Sequence, residues 1–161
     1  MPDNGEALRH VMRRWTSGVA VVTSTWEGRA HGMTVNSFTS ISLDPPLVSV
    51  TLANDTRTHA MVSQAGVFGV TILSEMQSEL AARFAGRGAP DQDRFAGLDL
   101  VRLETGCPLL GNGLAFVDCR VYASHPLPHS TLFIGEVLQA RTVDSLHPLV
   151  YFNREYHRLE L

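Results

Sequence analysis

Lysine is missing from this chain: all 13 of its basic residues are arginine. That removes Schiff-base chemistry, the phosphate-binding lysine of a P-loop and any lysine general base. Cysteine is scarce, and Cys107 and Cys119 stand too far apart for a CxxC redox pair or a zinc knuckle, so two reduced, packed thiols are expected. Long apolar runs are absent as well. The best, Gly113 to Val117 and Leu132 to Ile134, fall far short of the roughly 20 residues that cross a bilayer. The first residues, Met1 to Glu6, are acidic and lack the basic and apolar regions of a signal peptide, so a cytoplasmic protein without membrane attachment is expected. The net charge is −3 and the arginines are scattered, which argues against a nucleic-acid partner. No GxGxxG follows a strand, and GxSxG, HExxH and P-loop motifs are absent. His125 and His129 are four apart, but Pro126 and Pro128 keep that segment from being helical, and no metal site is expected.

What is present is a compact composition, 44% apolar and 18% charged, over 161 residues. This suits a single domain spanning residues 1–161. Leu8, Val11, Met12 and Trp15 recur at helical spacing behind Asp3, predicting an amphipathic helix that packs on the rest of the fold. Gly18 to Trp26 and Ala30 to Phe38 read as a hairpin broken at Glu27-Gly28-Arg29. Further strands are expected at Leu47 to Leu52, Val67 to Leu73, Leu98 to Leu103, Ala115 to Ser124, Thr131 to Val143, Leu149 to Phe152 and Tyr156 to Leu159. A short helix is read at Thr58 to Ser63. A second, behind the capping box Ser74/Gln77, carries Met76, Leu80 and Phe84 on one stripe. Many strands and few helices predict a mostly antiparallel barrel rather than an alternating βα fold.

The stretch Gly32 to Ser40 crowds small polar residues into a strand and its exit. Such hydroxyls either bond their own backbone at a turn or line a pocket together with the Asn36 amide. On the second reading the pocket, completed by exposed backbone N–H groups, suits a flat polar heterocycle. Near Asn54, Thr56, Arg57 and Thr58 a helix begins. Thr56 or Asp55 reads as its cap.

GVAVVTS (Gly18 to Ser24), GMTVNSFTSISLDPPLVSVTL (Gly32 to Leu52), VFGVTIL (Val67 to Leu73), the Gln77 to Phe84 helix, GCPLL with GLAFVDC, LFIGEV and PLVYFNREY appear in an order that resembles the flavin reductase family. The match runs from about Leu8 onward. The resemblance implies an antiparallel split β-barrel, Greek-key-like with a few flanking helices, on an NAD(P)H:flavin oxidoreductase. Such an enzyme passes hydride from NADH or NADPH to FMN or FAD and supplies reduced flavin to a separate monooxygenase by diffusive transfer. A homodimer is also implied. The implied flavin contacts are Met33, Thr34, Val35, Asn36, Ser37, Leu52, Ala53, Asn54, Thr56, Arg57 and Thr58, with Phe84 either near the flavin or in the core. The turn before LFIGEV departs from the family, where relatives read Gly-Asp-His. Pro128, His129 and Ser130 stand there, so His129 takes the nicotinamide-positioning place only through a one-residue shift of the turn. Two alternatives stay open: a barrel that retains FMN and reduces another acceptor, and a non-enzymatic flavin or haem binder.

Overall fold

The computed structural model describes residues 3–88 and 91–161. The elements in chain order are helix α1 (Asn4–Met12) and strands β1 (Ser17–Gly18), β2 (Ala20–Trp26), β3 (Arg29–Val35), β4 (Thr39–Leu43) and β5 (Pro46–Ala53). Helix α2 (Arg57–Ala65), β6 (Val67–Ile72), a 3-10 turn at Glu75–Gln77 and helix α3 (Ser78–Phe84) follow. The second half holds β7 (Leu100–Val101), β8 (Leu109–Leu110), β9 (Ala115–Pro126), β10 (Ser130–Thr142), β11 (Leu149–Phe152) and β12 (Glu155–Arg158).

A seven-stranded antiparallel sheet runs β3-β2-β6-β9-β10-β5-β4, beside a three-stranded sheet β1-β11-β12 and the pair β7-β8. The mostly β, antiparallel class expected from the strand pattern is therefore the observed one. Val35, on one edge strand, shares a core cluster with Val48 and Val50 near the other edge, so the sheet curls around that cluster. Val19, Val21, Leu73, Ala81, Phe84, Leu110 and Leu149 form a second cluster on the opposite face. Both faces of β2 are thus covered, which is why Ala20 to Ser24 is buried throughout and reads as a continuous apolar run instead of an alternating one.

Between β5 and β6 the chain crosses the sheet, and α2 makes the crossing, packing on β2 and β3. This sets the N-terminus of α2 beside the outer edge of β3. The β2–β3 hairpin closes through Glu27 (φ 50°) and Gly28 (φ 74°) between paired Trp26 and Arg29, two left-handed residues as a tight hairpin turn requires. In β10, a Cβ on Gly135 would lie 2.5 Å from Phe68 Cζ, so only glycine lets this strand pass over that ring.

Three expectations need correction. Helix α1 forms with Asp3 Oδ1 accepting from Gly5 N, but none of its residues is buried, so it does not pack on the sheet. The strand read at Leu98 to Leu103 contracts to Leu100–Val101, paired only with β8. Thr39–Leu43, read as the exit toward a turn, is a strand; it lies at the sheet edge with Thr39, Ser40, Ile41 and Leu43 exposed, so no buried face marks it.

Candidate active site

Strand β3 hydrogen-bonds on one side only, to β2, so the backbone groups of its outer edge are available to other partners. Arg94 takes one of them, its Nη1 donating to Gly32 O at 2.8 Å and to Phe84 O at 3.3 Å. The hydroxyls of this stretch bond distant backbone instead of their own turn. Thr34 Oγ1 donates to Ala81 O at 2.7 Å, pinning β3 to α3. Ser37 Oγ donates to Thr51 O at 3.1 Å and accepts from Thr51 N at 3.0 Å, pinning the strand exit to β5.

Three cavities lie in a row along this edge. The first, about 190 Å³, has Thr34, Val35 and Asn36 on one side and Arg87, Tyr151 and Tyr156 on the other. The second, about 430 Å³, shares Thr34 and Ala85 with it and is walled by His31, Met33, Thr56, Arg57, Thr58, Phe84 and Arg94. A third of about 440 Å³ shares His31, Arg57 and Arg94 with the second.

The second cavity gathers positive charge and helix N–H groups. Thr56 caps α2, its Oγ1 accepting from His59 N at 3.2 Å and donating to Ala53 O at 2.8 Å. The first turn contains no acidic residue to offset the helix dipole, and Arg57 adds positive charge where the dipole is already positive. The N–H groups of Arg57 and Thr58 have no acceptor within the helix. The Thr58 side chain is buried, with Oγ1 2.8 Å from His31 Nδ1. Burial, and then the charges of Arg94 and Arg57, push the His31 pKa down to about 4, so the ring is neutral at pH 7. Burial and Arg57 also lower the pKa of Arg94. Like charges held this close, in a cavity with free amides, fit a phosphate. The open strand edge beside them fits the rim of a flat heterocycle.

Of the residues singled out in the sequence, Met33, Thr34, Thr56, Arg57, Thr58 and Phe84 meet at the second cavity, and Thr34, Val35 and Asn36 at the first. The others lie elsewhere. Ser37 sits between strands, Leu52 is in the core, and the Ala53 carbonyl serves the Thr56 cap. The Asn54 side chain is committed to the β9–β10 turn: Nδ2 donates to Leu127 O at 3.0 Å, and Oδ1 accepts from Thr131 Oγ1 at 2.8 Å. His129 is exposed in that turn and lines none of these three cavities; its carbonyl accepts from Asn54 N at 3.1 Å. Sequence reading missed His31, Arg94, Arg87, Tyr151 and Tyr156. His31 stands immediately before Gly32 and was within reach. The others come from distant segments that only the fold brings together.

Residues 12–160 match the family described as Flavin reductase like domain. An NADH-dependent flavin reductase of a Rhodococcus species is 39% identical over 158 residues, covering 96% of this chain and 86% of the relative. The NADH-dependent flavin reductase StyB of Pseudomonas fluorescens is 38% identical over 153 residues, 93% of this chain and 87% of its own length. Among solved structures, the NADH:FAD oxidoreductase SgcE6 of Streptomyces globisporus superposes with a TM-score of 0.92 at 31% identity, covering 100% of this chain and 96% of that one. The chain belongs to the flavin reductase-like domain family.

Proposed function

We propose that this chain is an NAD(P)H-dependent flavin reductase that reduces FMN or FAD and releases it to a separate flavin-dependent monooxygenase. One observation carries the reading: an open strand edge and an uncompensated cationic helix start meet in one trough, the two requirements of a phosphorylated flavin. The names and extents of the similar reductases support it. The chemistry is carried by the bound molecules, hydride passing from the nicotinamide ring to the isoalloxazine.

The protein's part is geometry and charge. The outer backbone of Met33 to Asn36 meets the polar rim of the flavin, and Phe84, fully buried, backs the second cavity from the core. Thr56, Arg57 and Thr58 hold the phosphate, joined by Arg94 and by His31 as a neutral donor. A neutral His31 that accepts the Thr58 hydroxyl at Nδ1 keeps its proton on Nε2. Fixing both rings in contact removes much of the entropic cost of bringing two reactants together. Tyr151, Tyr156 and Arg87, across the first cavity, are positioned to border the nicotinamide. His129 is the chain's candidate for orienting the donor, from a turn whose place Asn54 sets.

The chain acts as one split-barrel unit over residues 1–161 and as a homodimer, with α1 as part of the contact between copies. The cytoplasm is the proposed location, in keeping with two buried free thiols. Among the described residues no helix is long and apolar enough to cross a membrane.

The deciding experiment follows NADH and NADPH oxidation by purified protein with and without FMN, FAD or riboflavin. Consumption that depends on added flavin is expected. No consumption with any flavin overturns the reading, and turnover on co-purified flavin alone makes the group prosthetic.

A further inference from the structure

A fourth cavity, about 470 Å³, shares no residue with the three along the trough. It lies between the start of α3, the loop before β7, the turn after β8 and the loop before β11. Its polar side chains are already bonded within the protomer. Ser74 Oγ donates to Asn112 O at 2.9 Å, Gln77 Nε2 donates to Gly111 O at 2.8 Å, and Gln77 Oε1 accepts from Ser74 N at 3.1 Å. The walls are apolar: Leu80 and Leu98 are set against the second core cluster, Leu146 is half-buried, and Met76 is 76% exposed. The lining has no arginine or histidine and one carboxylate, Asp99, so it does not suit an anionic dinucleotide. Glu75 and Glu79 adjoin Met76 and Leu80 in the chain, and Asp144 stands just before Leu146. None of these four carboxylates is in an ion pair among the described residues.

Helix α1 has the matching surface. Leu8, Val11, Met12 and, just past the helix end, Trp15 follow the i, i+3, i+4, i+7 spacing by which an amphipathic helix lies in a groove, and no residue of α1 is buried in its own protomer. Arg9, Arg13 and Arg14 alternate with that stripe, and none of them is in an ion pair among the described residues. We infer that α1 of a second copy of this chain docks in the fourth cavity, and that the docking is reciprocal. The inference rests on the homodimer reading and deepens it by naming the surface that receives the helix. Positions on one protomer allow the reciprocity. Asn153 N, just beyond β11, donates to Arg13 O at the base of the helix, whereas Ser74 is bridged to Pro148, just before β11. Stripe and cavity therefore lie toward opposite ends of one strand. A two-fold axis across β11 lays each stripe on the other copy's cavity, which closes the contact after two copies. Apolar side chains then cover apolar walls, and the arginines beside the stripe meet the carboxylates beside the cavity.

The test follows the association of the full chain by sedimentation and native mass spectrometry. Wild type is expected to be dimeric at micromolar concentration. Met76→Arg puts a cation where the arginine-flanked stripe lands. It is expected to weaken the dimer about tenfold or more with circular dichroism unchanged, since Met76 belongs to neither core cluster. Glu79→Arg, at a second exposed position beside the cavity, is expected to weaken it about fivefold. The decisive step mixes the Met76→Arg chain with one carrying Leu8→Glu and Val11→Glu. Each alone is expected to be largely monomeric, and the mixture to form heterodimers. In such a pair one contact joins an intact stripe to an intact cavity, and the other sets introduced charges of opposite sign against each other. Met76→Arg and Glu79→Arg chains that dimerise as tightly as wild type overturn the inference and leave the homodimer to another surface. A mixture that stays monomeric also overturns it, because stripe and cavity then do not meet. A monomeric wild type fails at the earlier step, the homodimer reading itself.

Discussion

His31 is held neutral by burial and by two neighbouring guanidinium groups, with Thr58 as its hydrogen-bond partner. An unperturbed histidine titrates near 6.5, so between about pH 6.5 and about pH 4 the unfolded chain binds a proton that the folded one refuses. The contribution to stability is complete above that window and is lost as pH falls through it. Thermal melts of ligand-free protein are expected to shift downward from pH 7 to pH 5, with a shallower dependence in His31→Asn. An identical slope in the variant would place the pH sensitivity elsewhere. Thr58 supports the same ring from the buried side. Thr58→Val keeps the volume but leaves His31 Nδ1 without its partner, a loss of roughly 1 to 1.5 kcal/mol that weakens FMN about fivefold to tenfold. Riboflavin, which has no phosphate, is expected to change by less than about twofold. Equal weakening of both flavins in fluorescence titrations would detach Thr58 from phosphate recognition.

Elements that bury one face or two announced themselves in the sequence. Ala20 to Ser24, Leu47 to Leu52 and Val67 to Ile72 are rich in valine and leucine or isoleucine, with small hydroxyl residues between, because they are largely buried, and their extent was readable. The Ser74/Gln77 capping box was equally readable, and Gln77 Oε1 accepts from Ser74 N at 3.1 Å. β4 escaped because an exposed edge strand places no apolar demand on its residues. The site was half legible for a related reason. Thr56, Arg57 and Thr58 adjoin in sequence as in space, whereas Arg94, Tyr151 and Tyr156 reach the trough only through tertiary packing. Asn54, expected among the flavin contacts, has its side chain bonded to a turn. Its bonds to Leu127 O, Thr131 Oγ1 and, through N, His129 O tie the β9–β10 turn to the loop before α2. His59 Nε2, 2.8 Å from Thr131 Oγ1, extends the chain of contacts into α2. Asn54→Ala is expected to raise the KM for NADH severalfold, with FMN affinity nearly unchanged, because the turn carrying His129 loosens while the phosphate cradle stays. His129→Ala should show the same pattern. A variant whose defect is confined to FMN binding would return Asn54 to the phosphate.

At the scale of the whole molecule, charge and apolar surface are both unevenly spread. A chain of net charge −3 keeps several of its arginines along one trough, which raises the local positive potential there. Apolar surface is concentrated in the same way on and just after α1, where Leu8, Val11, Met12 and, beyond the helix end, Trp15 stay exposed, Trp15 at 68%. An amphipathic helix with no buried residue gains little from its own protomer, and fully covering each such side chain is worth about 1.5 to 3 kcal/mol. The segment after the helix is nonetheless fixed in place: Asn153 N donates to Arg13 O at 3.1 Å, and β1 pairs with β11. The stripe is therefore presented at a defined angle, which a contact between identical copies requires. Wild type is expected to run as a dimer in light scattering at micromolar concentration. Leu8→Glu with Val11→Glu should shift it to monomer without unfolding it, because neither residue contributes to the protomer's core. A monomeric wild type would remove the homodimer from the proposal. A double variant that stays dimeric with unchanged circular dichroism would move the contact to another surface and leave α1 without a partner.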